Sequence, residues 1–362
     1  MVMENSRHQQ EAISNWTRGT GLIATAACLL ITTGSTLAHE GDGDRADART
    51  GGFCSATADL LFRACGAERT DDYLKAQAIC INVSDDAARK TCLADAKTTQ
   101  ADAGKLCGEQ LIGRLEACKS LGEGRYDPVF DPAAFDTDFA TPAHPNPYFP
   151  LKIGNKWEYR GSELDRIEIL NRTKLIQGVT CVVFRDRVFK EGKLVEDTDD
   201  WFAQAKNGDV YYCGEEVKDL ERFEGDKPQA PELVKIDGSF KWGRNGDKGG
   251  IFFRALPRKG EVYREEFSPR NAEDVSEVLS ISYQFGVDAE LDRHVPQQLA
   301  NLLCHGDCVV TQNINLNEPG KVARKYYAKG IGSVLEVDLN TGEIIQLLNC
   351  NFDTRCASLP KP

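Results

Sequence analysis

The chain has 362 residues, with 44 Lys and Arg against 56 Asp and Glu, and a formal net charge of −12. A negative surface repels phosphate groups, and no basic stripe with interleaved aromatic residues occurs. Nucleic acid and anionic membrane surfaces are therefore excluded as partners. The length exceeds that of a typical single domain and predicts at least two folded units.

The first 38 residues have the features of an export signal. A mildly basic start precedes the apolar run 21–31, which is shorter than the roughly 20 apolar residues of a membrane-spanning helix. Small residues then lead to Ala38, so we expect cleavage after Ala38 and a periplasmic or secreted product. Cys28 leaves with the signal in this interpretation; a lipidated Cys28 is the alternative. No later segment is apolar enough to predict a transmembrane helix in the mature chain.

Residues 39–52 are polar and glycine-containing, which predicts a flexible leader. Residues 53–121 are rich in Ala and Leu and contain no proline, so they predict a small helical module. Thr70 and Ser84, each followed by two aspartates, are expected to begin helices, and Gly122 to end the last one.

Cysteine spacing predicts how this module is held together. Eleven residues separate Cys54 from Cys65 and Cys107 from Cys118. Eleven residues of helix place two cysteines on nearly one face but about 16 Å apart, too far for a disulfide. The bridges must therefore run between helices. The six cysteines are Cys54, Cys65, Cys80, Cys92, Cys107 and Cys118, and their exact pairing is left open.

Residues 122–150 contain six prolines and six Tyr or Phe residues. They predict an irregular linker that lies along a surface. From residue 151 to the end, apolar residues alternate with a period of two, which is typical of strands. Gly178, Gly192 and Gly208 occupy expected hairpin turns. The first predicted strands are 165–176, 179–190, 193–205 and 209–220. Further strands are expected at 238–242, 251–256, 261–267, 275–287, 308–316, 321–328, 331–339 and 343–349.

These elements predict an α+β protein. A disulfide-linked N-terminal helical module precedes a larger antiparallel β-domain, which forms a curved sheet, a half-barrel or a barrel. The β-domain contributes six more cysteines, and even numbers in both halves of an exported chain indicate disulfides. A metal site or redox dithiol at the C-x₃-C pair is the alternative, although a second C-x₂-C pair is missing. These cysteines are Cys181, Cys213, Cys304, Cys308, Cys350 and Cys356.

Part of the β-domain, residues 146–339, resembles a family of uncharacterised secreted bacterial and archaeal proteins. The resemblance implies an exported β-domain and no particular activity; the helical module and the segment 286–319 depart from the pattern. The matching stretches are 146–151 with Gly154, Trp157 and Tyr159; 181–188; 200–204; 263–267 with 272–274; and 325–328 with Gly330, Gly332, Leu335 and Glu336.

Catalytic signatures are weak. Histidine is scarce, and no G-x-S-x-G, H-E-x-x-H or phosphate-binding glycine loop is present. Paired carboxylates are the remaining catalytic option, as in glycoside hydrolysis, with Glu265, Glu266 and Asp200 as candidates. The expectation is instead that both acidic clusters around these residues form a solvated charged rim on a protein of net charge −12. The clusters are Glu196, Asp197, Asp199 and Asp200, and Glu265, Glu266, Glu273, Asp274 and Glu277. No metal site and no cofactor are predicted.

Aromatic residues fall on many predicted strands. The concave side of a curved sheet lined by Trp157, Tyr159, Trp201 and Tyr263 would suit an apolar ligand, although such residues more often form the core. We therefore expect an exported, non-catalytic protein that binds an unknown small molecule or protein through its β-domain. A secreted carbohydrate-active hydrolase and a structural cell-surface or assembly protein are the alternatives.

Overall fold

The computed structural model describes residues 52–361. These residues form two compact units, residues 52–126 and residues 127–361. The predicted signal peptide, its cleavage site after Ala38, Cys28 and nearly all of the predicted leader lie outside the described residues. Each unit has its own packing and is treated separately below.

The first unit is a helical hairpin made of two long helices, α1 (Phe53–Cys80) and α2 (Asp86–Leu121). The carboxylate of Asp85 accepts a hydrogen bond from the Ala88 amide and caps α2, one residue later than predicted. The prediction that a helix begins at Thr70 is wrong, because Thr70 lies inside α1. Its hydroxyl donates to the carbonyl of Gly66 one turn earlier, so it does not compete with the helix as a cap.

Three disulfides join the two helices, as the spacing predicted. They connect Cys54 to Cys118, Cys65 to Cys107 and Cys80 to Cys92, with Cα–Cα distances of 5.7, 5.8 and 5.4 Å. Steps of 11 and then 15 residues along α1 are matched by equal steps back along α2. The bridges therefore lie in one constant antiparallel register.

These cysteines also supply most of the buried surface of the hairpin. All six are buried, together with only two alanines, Ala58 and Ala96, among apolar residues. Two helices of small residues bury too little apolar area to be stable alone, so the covalent bonds replace a hydrophobic core.

The second unit is an α+β domain dominated by one 15-stranded antiparallel sheet, which confirms the predicted fold class. The sheet curls into a nearly closed barrel whose edge strands, β9 and β10, are consecutive in the chain. The strands are β1 (Lys156–Arg160), β2 (Leu164–Ile176), β3 (Val179–Lys190), β4 (Lys193–Gln204), β5 (Val210–Glu216), β6 (Asp219–Glu221), β7 (Glu232–Lys235), β8 (Lys248–Phe253), β9 (Val262–Arg264), β10 (Glu266–Phe267), β11 (Asp274–Gln284), β12 (His305–Asn315), β13 (Val322–Ala328), β14 (Gly332–Asp338) and β15 (Ile344–Cys350).

The hairpins that flank β3 follow the predicted turns. Gln177 and Gly178, and likewise Glu191 and Gly192, adopt positive φ angles, as a two-residue turn between twisted antiparallel strands requires. The strand β1 joins the two halves of the sheet, since it pairs with both β2 and the C-terminal strand β15.

Some elements differ from the sequence prediction. Residues 238–242 form a loop with a single bridge at Lys241 instead of a strand. The predicted strand 209–220 is divided into β5 and β6. The short strands β1 and β7 and the helix α3 (Gln297–Leu303) were not predicted. These three are at most seven residues long, so a periodic pattern has little length in which to show itself.

The barrel has a core on each side of its wall. The inner core contains Phe184, Phe202 and Tyr327 with many other apolar residues. A smaller outer core centred on Trp201 and Trp242 is covered by Phe130 and Phe135 of the predicted linker. This part of the chain therefore lies against the sheet.

Three disulfides secure the β unit. Cys181–Cys213 joins β3 to β5 across the intervening β4, while Cys304–Cys308 and Cys350–Cys356 close short loops. All twelve cysteines from Cys54 onward are therefore paired. The C-x₃-C pair is a disulfide-closed loop. Among residues 52–361, no helix combines the length and the apolar composition needed to cross a membrane.

Removal of the middle disulfide, Cys65–Cys107, tests whether the disulfides stabilise the helical hairpin. We expect replacement of both Cys65 and Cys107 by Ser to destabilise the helices by about 2–4 kcal/mol, because that bridge closes a long loop and fills buried space. Denaturant unfolding followed by far-ultraviolet circular dichroism measures the change. The matched control replaces Cys304 and Cys308, whose bridge spans only four residues. Equal helical stability in the two double variants would contradict the prediction.

Candidate functional site

The inside of the barrel contains an aromatic cavity. Alternation along the paired strands β3 and β4 places Phe184 opposite Asp200 and Val182 opposite Phe202, so Phe184, Asp200 and Phe202 point inward. Further side chains from β1, β8, β13 and β14 complete the wall. The lining includes Trp157, Tyr159, Ile167, Phe184, Asp200, Phe202, Phe252, Lys325, Tyr327 and Ser333.

This cavity is small. Its volume is about 30 Å³, whereas a single water molecule requires roughly 10–15 Å³ by the same measure. Sites for small organic ligands have volumes of roughly 300–1,000 Å³. In the described conformation the barrel interior therefore holds one or two waters at most, and aromatic rings fill the rest.

One aromatic residue of the predicted linker roofs the cavity. The Phe149 ring packs against Phe184, Phe202 and Phe252, with ring centroids 5.7, 5.2 and 4.8 Å away. Buried Asn146 positions it: its side-chain oxygen accepts from the Phe149 amide and its side-chain nitrogen donates to the Gly208 carbonyl. The linker is thus part of the barrel interior.

The four aromatic residues predicted to bind a ligand do not form one group. Trp157 and Tyr159 line the inner cavity, and their polar atoms are used, since the Trp157 indole donates to the Ile331 carbonyl and the Tyr159 hydroxyl to the Ser333 carbonyl. Tyr263 belongs to the same inner core but is not among the cavity-lining residues.

Trp201 lies on the other side of the barrel wall. It belongs to the outer core, and the Lys174 ammonium sits 3.3 Å from its ring centroid. Its neighbours along β4, Asp200 and Phe202, point inward, so the alternation of the strand separates it from Trp157 and Tyr159.

The expectation that the acidic clusters form a solvated rim is wrong for most of their members. The β unit buries ten carboxyl residues but only two cationic ones, Arg324 and Lys325. Side chains alternate between the two faces of a strand, so an Asp or Glu two residues from an inward-facing Phe also points into the barrel. Several of the buried carboxyl groups lie inside the barrel for this reason. The ten are Asp186, Glu196, Asp200, Asp209, Glu215, Asp247, Glu265, Glu266, Glu273 and Asp274.

Asp200 is the carboxyl group that lines the cavity. Burial raises its pKa to about 7, against a hydrogen bond from the Tyr212 hydroxyl that lowers it, and the nearby Asp186 adds to the rise. Glu215, paired with Asp200 across β4 and β5, has its pKa raised well above the usual value by burial and by the Asp200 charge. Asp200 therefore gains or loses its proton near neutral pH.

A second carboxyl group cluster lies where the two edge strands of the sheet meet. Glu265 accepts from the Ser276 hydroxyl and from the Asn313 amide, and Glu266 accepts from the Asp274 amide at 2.6 Å. Burial is the main cause that raises the pKa of both glutamates, and it raises the pKa of Asp274 to about 8. These groups hold strands together through protonated or hydrogen-bonded carboxyls.

Lys325 is an ammonium that faces these carboxyls in the described part of the chain. Its pKa is lowered by burial but raised more by Glu336, Glu265 and Asp274, with a net rise. The ammonium lies 3.8 Å from Glu336. It therefore stays charged and offsets part of the negative charge inside the barrel.

The buried carboxyls do not form an accessible hydrolytic site. Glu265, Glu266 and Asp200 are each at most 2% exposed, and a sugar ring is far larger than the cavity beside Asp200. Within the described residues, no set of three or more His, Cys, Asp or Glu side chains is arranged to hold a metal ion. These buried carboxyl groups can bind and release protons, but the cavity beside Asp200 has no space for a substrate.

A larger cleft lies on the outside of the β unit. It has a volume of about 290 Å³, close to the lower end of the range for small-molecule sites. It is formed by the start of the predicted linker, the β2–β3 turn and the loop before β8. The residues that line it are Asp127, Pro128, Phe130, Gln177, Trp242, Gly243, Gly246, Asp247 and Lys248.

The cleft combines an aromatic surface with mixed polar groups. Phe130 stacks on Trp242 with centroids 3.8 Å apart and planes inclined by 9°. The Lys248 ammonium pairs with Asp127 and lowers the pKa of that carboxyl, so both are charged. The Gln177 side chain lies against Gly243, where any Cβ would collide with it. Hydrogen-bond donors and acceptors thus surround an aromatic pair.

Sequence reasoning did not identify this cleft. Gln177 precedes Gly178 in a predicted hairpin turn, and Trp242 is the last residue of the predicted strand 238–242. The sequence signal that was available is the glycine-rich loop 243–250 next to a tryptophan, since such loops allow close approach to a ligand. Its partners Asp127 and Gln177 are remote in sequence, so only the fold brings them together.

No family model and no curated protein matches this chain. The resemblance of residues 146–339 to secreted proteins therefore stays a prediction. A search of solved structures finds a protein from Bacteroides fragilis described as exported, with a YMCC-like fold. It is 10% identical, with a TM-score of 0.29, and covers 56% of this chain and 98% of its own. A likeness this low supports no inference about function.

Replacement of Lys325 by Met tests the electrostatics of the interior. We expect a loss of about 3–5 kcal/mol at pH 8, because the variant leaves buried carboxyls without their ammonium. Urea unfolding followed by intrinsic fluorescence measures it. The control is Lys193→Met at the exposed first residue of β4, which should change stability by less than about 0.5 kcal/mol. A Lys325 variant as stable as this control would contradict the account.

Proposed function

We propose that this chain is an exported, non-catalytic protein whose β unit binds a small, hydroxyl-rich polar ligand in the outer cleft. The observation that carries this proposal is the contrast between the two spaces. The interior measures about 30 Å³ and the cleft about 290 Å³. Only the cleft approaches the size of a small-molecule site.

The chemistry of the cleft favours the ligand class. Alternating hydroxyl groups of a saccharide or polyol match a carboxamide, two carboxylates and an ammonium, here Gln177, Asp127, Asp247 and Lys248. Aromatic rings beside such groups offer an apolar surface to the C–H faces of the same ligand. No strong net charge lines the cleft, which disfavours a highly charged ligand.

The export part of the proposal rests on the cysteines. Six disulfides are expected of a protein that folds in an oxidising compartment and not of a cytosolic one. The predicted signal peptide agrees with this location. Periplasm and cell exterior are both consistent with it.

The export proposal predicts both processing and oxidation. Intact mass spectrometry of the protein from its native compartment should give an N-terminus at His39, and thiol alkylation should label no cysteine before reduction. After reduction, all twelve remaining cysteines should react, because all twelve are paired. An uncleaved product with freely reactive cysteines would place the protein elsewhere.

The binding proposal is tested by calorimetric titration of the full mature chain with a panel of neutral and acidic oligosaccharides and polyols. We expect binding by at least one neutral member, weakened about tenfold or more by Lys248→Ala or Gln177→Ala, which removes about one charged or neutral hydrogen bond. The control Lys193→Ala is the first residue of β4 and pairs with Lys190, at the end of β3 remote from Gln177. Binding that all three variants retain equally would place the site elsewhere.

The two alternatives have less support. The hydrolase would need a substrate to reach Glu265, Glu266 or Asp200, and the interior has no room for one. The assembly role would rest on the helical hairpin, where Leu60, Leu74 and Ile81 are exposed apolar residues. No described contact shows what would cover them.

A further inference from the structure

The seam of the barrel is where its two edge strands come together. In the order of paired strands, β10 stands at one end and β9 at the other, and only Glu265 separates them in the chain. Backbone pairing is short here, with three residue pairs between β9 and β11 and two between β10 and β8. The seam therefore relies on side chains as well as on these short ladders and the backbone hydrogen bonds beside them, such as the one from the Glu265 amide to the Asp274 carbonyl.

Three buried carboxyl groups provide these side-chain contacts. Glu265 bonds to Ser276 and Asn313, which belong to β11 and β12, and Glu266 bonds to the Asp274 amide at the start of β11. One oxygen of each of the three carboxyls, Oε2 of both glutamates and Oδ1 of Asp274, is buried without a hydrogen-bond partner among the described residues. A carboxylate would leave that oxygen charged and unsolvated, whereas a protonated acid carries less cost there.

The surroundings do not neutralise three negative charges. Among the described residues, Lys325 is the cation that most lowers the pKa of Glu265 and of Asp274, whereas Glu336 raises the pKa of both. The buried tyrosines Tyr263 and Tyr327 carry no positive charge. The charged and titratable groups that face the seam are Glu215, Tyr263, Glu273, Lys325, Tyr327 and Glu336.

We propose that the seam is a proton-controlled latch: with Glu265, Glu266 and Asp274 protonated the barrel is closed, and loss of these protons loosens strands β9–β11. Loss of the protons turns these neighbouring carboxyl groups into carboxylates that repel one another. The ammonium of Lys325 offsets only part of this negative charge. Repulsion and the need for water then act on the two edge strands, whose ladders with β11 and β8 are three and two residue pairs long.

The direction of the pH dependence follows from the two states. Carboxyl groups of an unfolded chain titrate near pH 4, whereas burial and Glu265 raise the pKa of Asp274 in the folded chain to about 8. Between these values the folded state holds more protons, so unfolding releases them. The contribution of these groups to stability is greatest below about pH 4, and it falls as the pH rises to about 8.

Amide hydrogen exchange of the full mature chain, corrected for the intrinsic pH dependence of exchange, tests the latch directly. Between pH 5.5 and 8.5 we expect protection of residues 262–284 to fall by about tenfold or more, one pKa unit of differential interaction. Residues 156–176, which include no buried carboxyl group, serve as the internal reference and should change less. An equal change in both segments would overturn the proposal.

Two substitutions identify the groups responsible. Glu266→Gln keeps an oxygen that accepts from the Asp274 amide but cannot ionise, and Asp274→Asn removes the second titrating group. In either variant the fall in protection of residues 262–284 between pH 5.5 and 8.5 should be smaller. It should be less than about threefold in the variant that removes the dominant titrating group. Glu277→Gln, a half-buried residue on the opposite face of β11 with the same change of charge, should behave as the unmodified protein.

Proton release on unfolding gives an independent measure. Guanidinium unfolding at pH 6.5 in weak buffer should acidify the solution, and the Glu266→Gln and Asp274→Asn variants should each release fewer protons than the Glu277→Gln control. If unfolding takes up protons at this pH, or if the seam variants release as many as the control, the carboxyls are ionised in the folded protein. The latch would then be excluded.

Discussion

Closure of the antiparallel sheet is the constraint on which the rest of the β unit depends. When a sheet curls into a ring, every second residue of each strand enters one enclosed space. Here that rule brings inward a group of aromatic rings and, from the same strands, a set of carboxyl groups. Phe202 and Asp200 are two residues apart on β4 and both line the inner cavity. The aromatic part is densely filled, and the acidic part must stay protonated or share Lys325.

The same constraint moves the candidate binding site to the outside. A ring of this size filled by Phe, Tyr and Trp leaves about 30 Å³, so an interior ligand of ordinary size is not accommodated. The outer wall is partly covered by the linker, whose Phe130 stacks on Trp242 and whose Asp127 reaches Lys248. Beside Phe130 and Asp127 the outer wall carries the cleft, which polar side chains border. The segment that appeared to be a connection in the sequence thus shapes both the roof of the interior and the external site.

The helical hairpin solves its own stability problem in a different way. Its helices contain mainly small and charged residues, and its buried positions are chiefly the six cysteines. Three disulfides between the two helices stabilise the hairpin, whereas apolar packing stabilises the barrel. Oxidising conditions are therefore a requirement for the first unit, whereas the barrel has a large core of its own.

Local chemistry in the sequence determined the elements themselves. Periodicity of two, with glycines at the turns, located most long strands to within a few residues, and the eleven-residue cysteine spacing showed that the bridges cross between helices. These features depend on neighbours along the chain, which is why they are readable without a structure. Short elements such as β1 and α3 are too brief to carry a period. Thr70 showed that a cap signal can be overridden when the helix continues.

Only the tertiary structure decided what those elements enclose. The sequence presents Glu265 and Glu266 as adjacent charged residues, which ordinarily lie in solvent, and it cannot say that ring closure buries both at a seam. It likewise places Trp157 and Trp201 in one aromatic set, although the wall of the barrel separates them. Which face of a strand is inside, and which distant residues such as Asp127 and Gln177 share a cleft, depends on closure and register across the whole sheet. Those are properties of contacts remote in sequence, and no local pattern contains them.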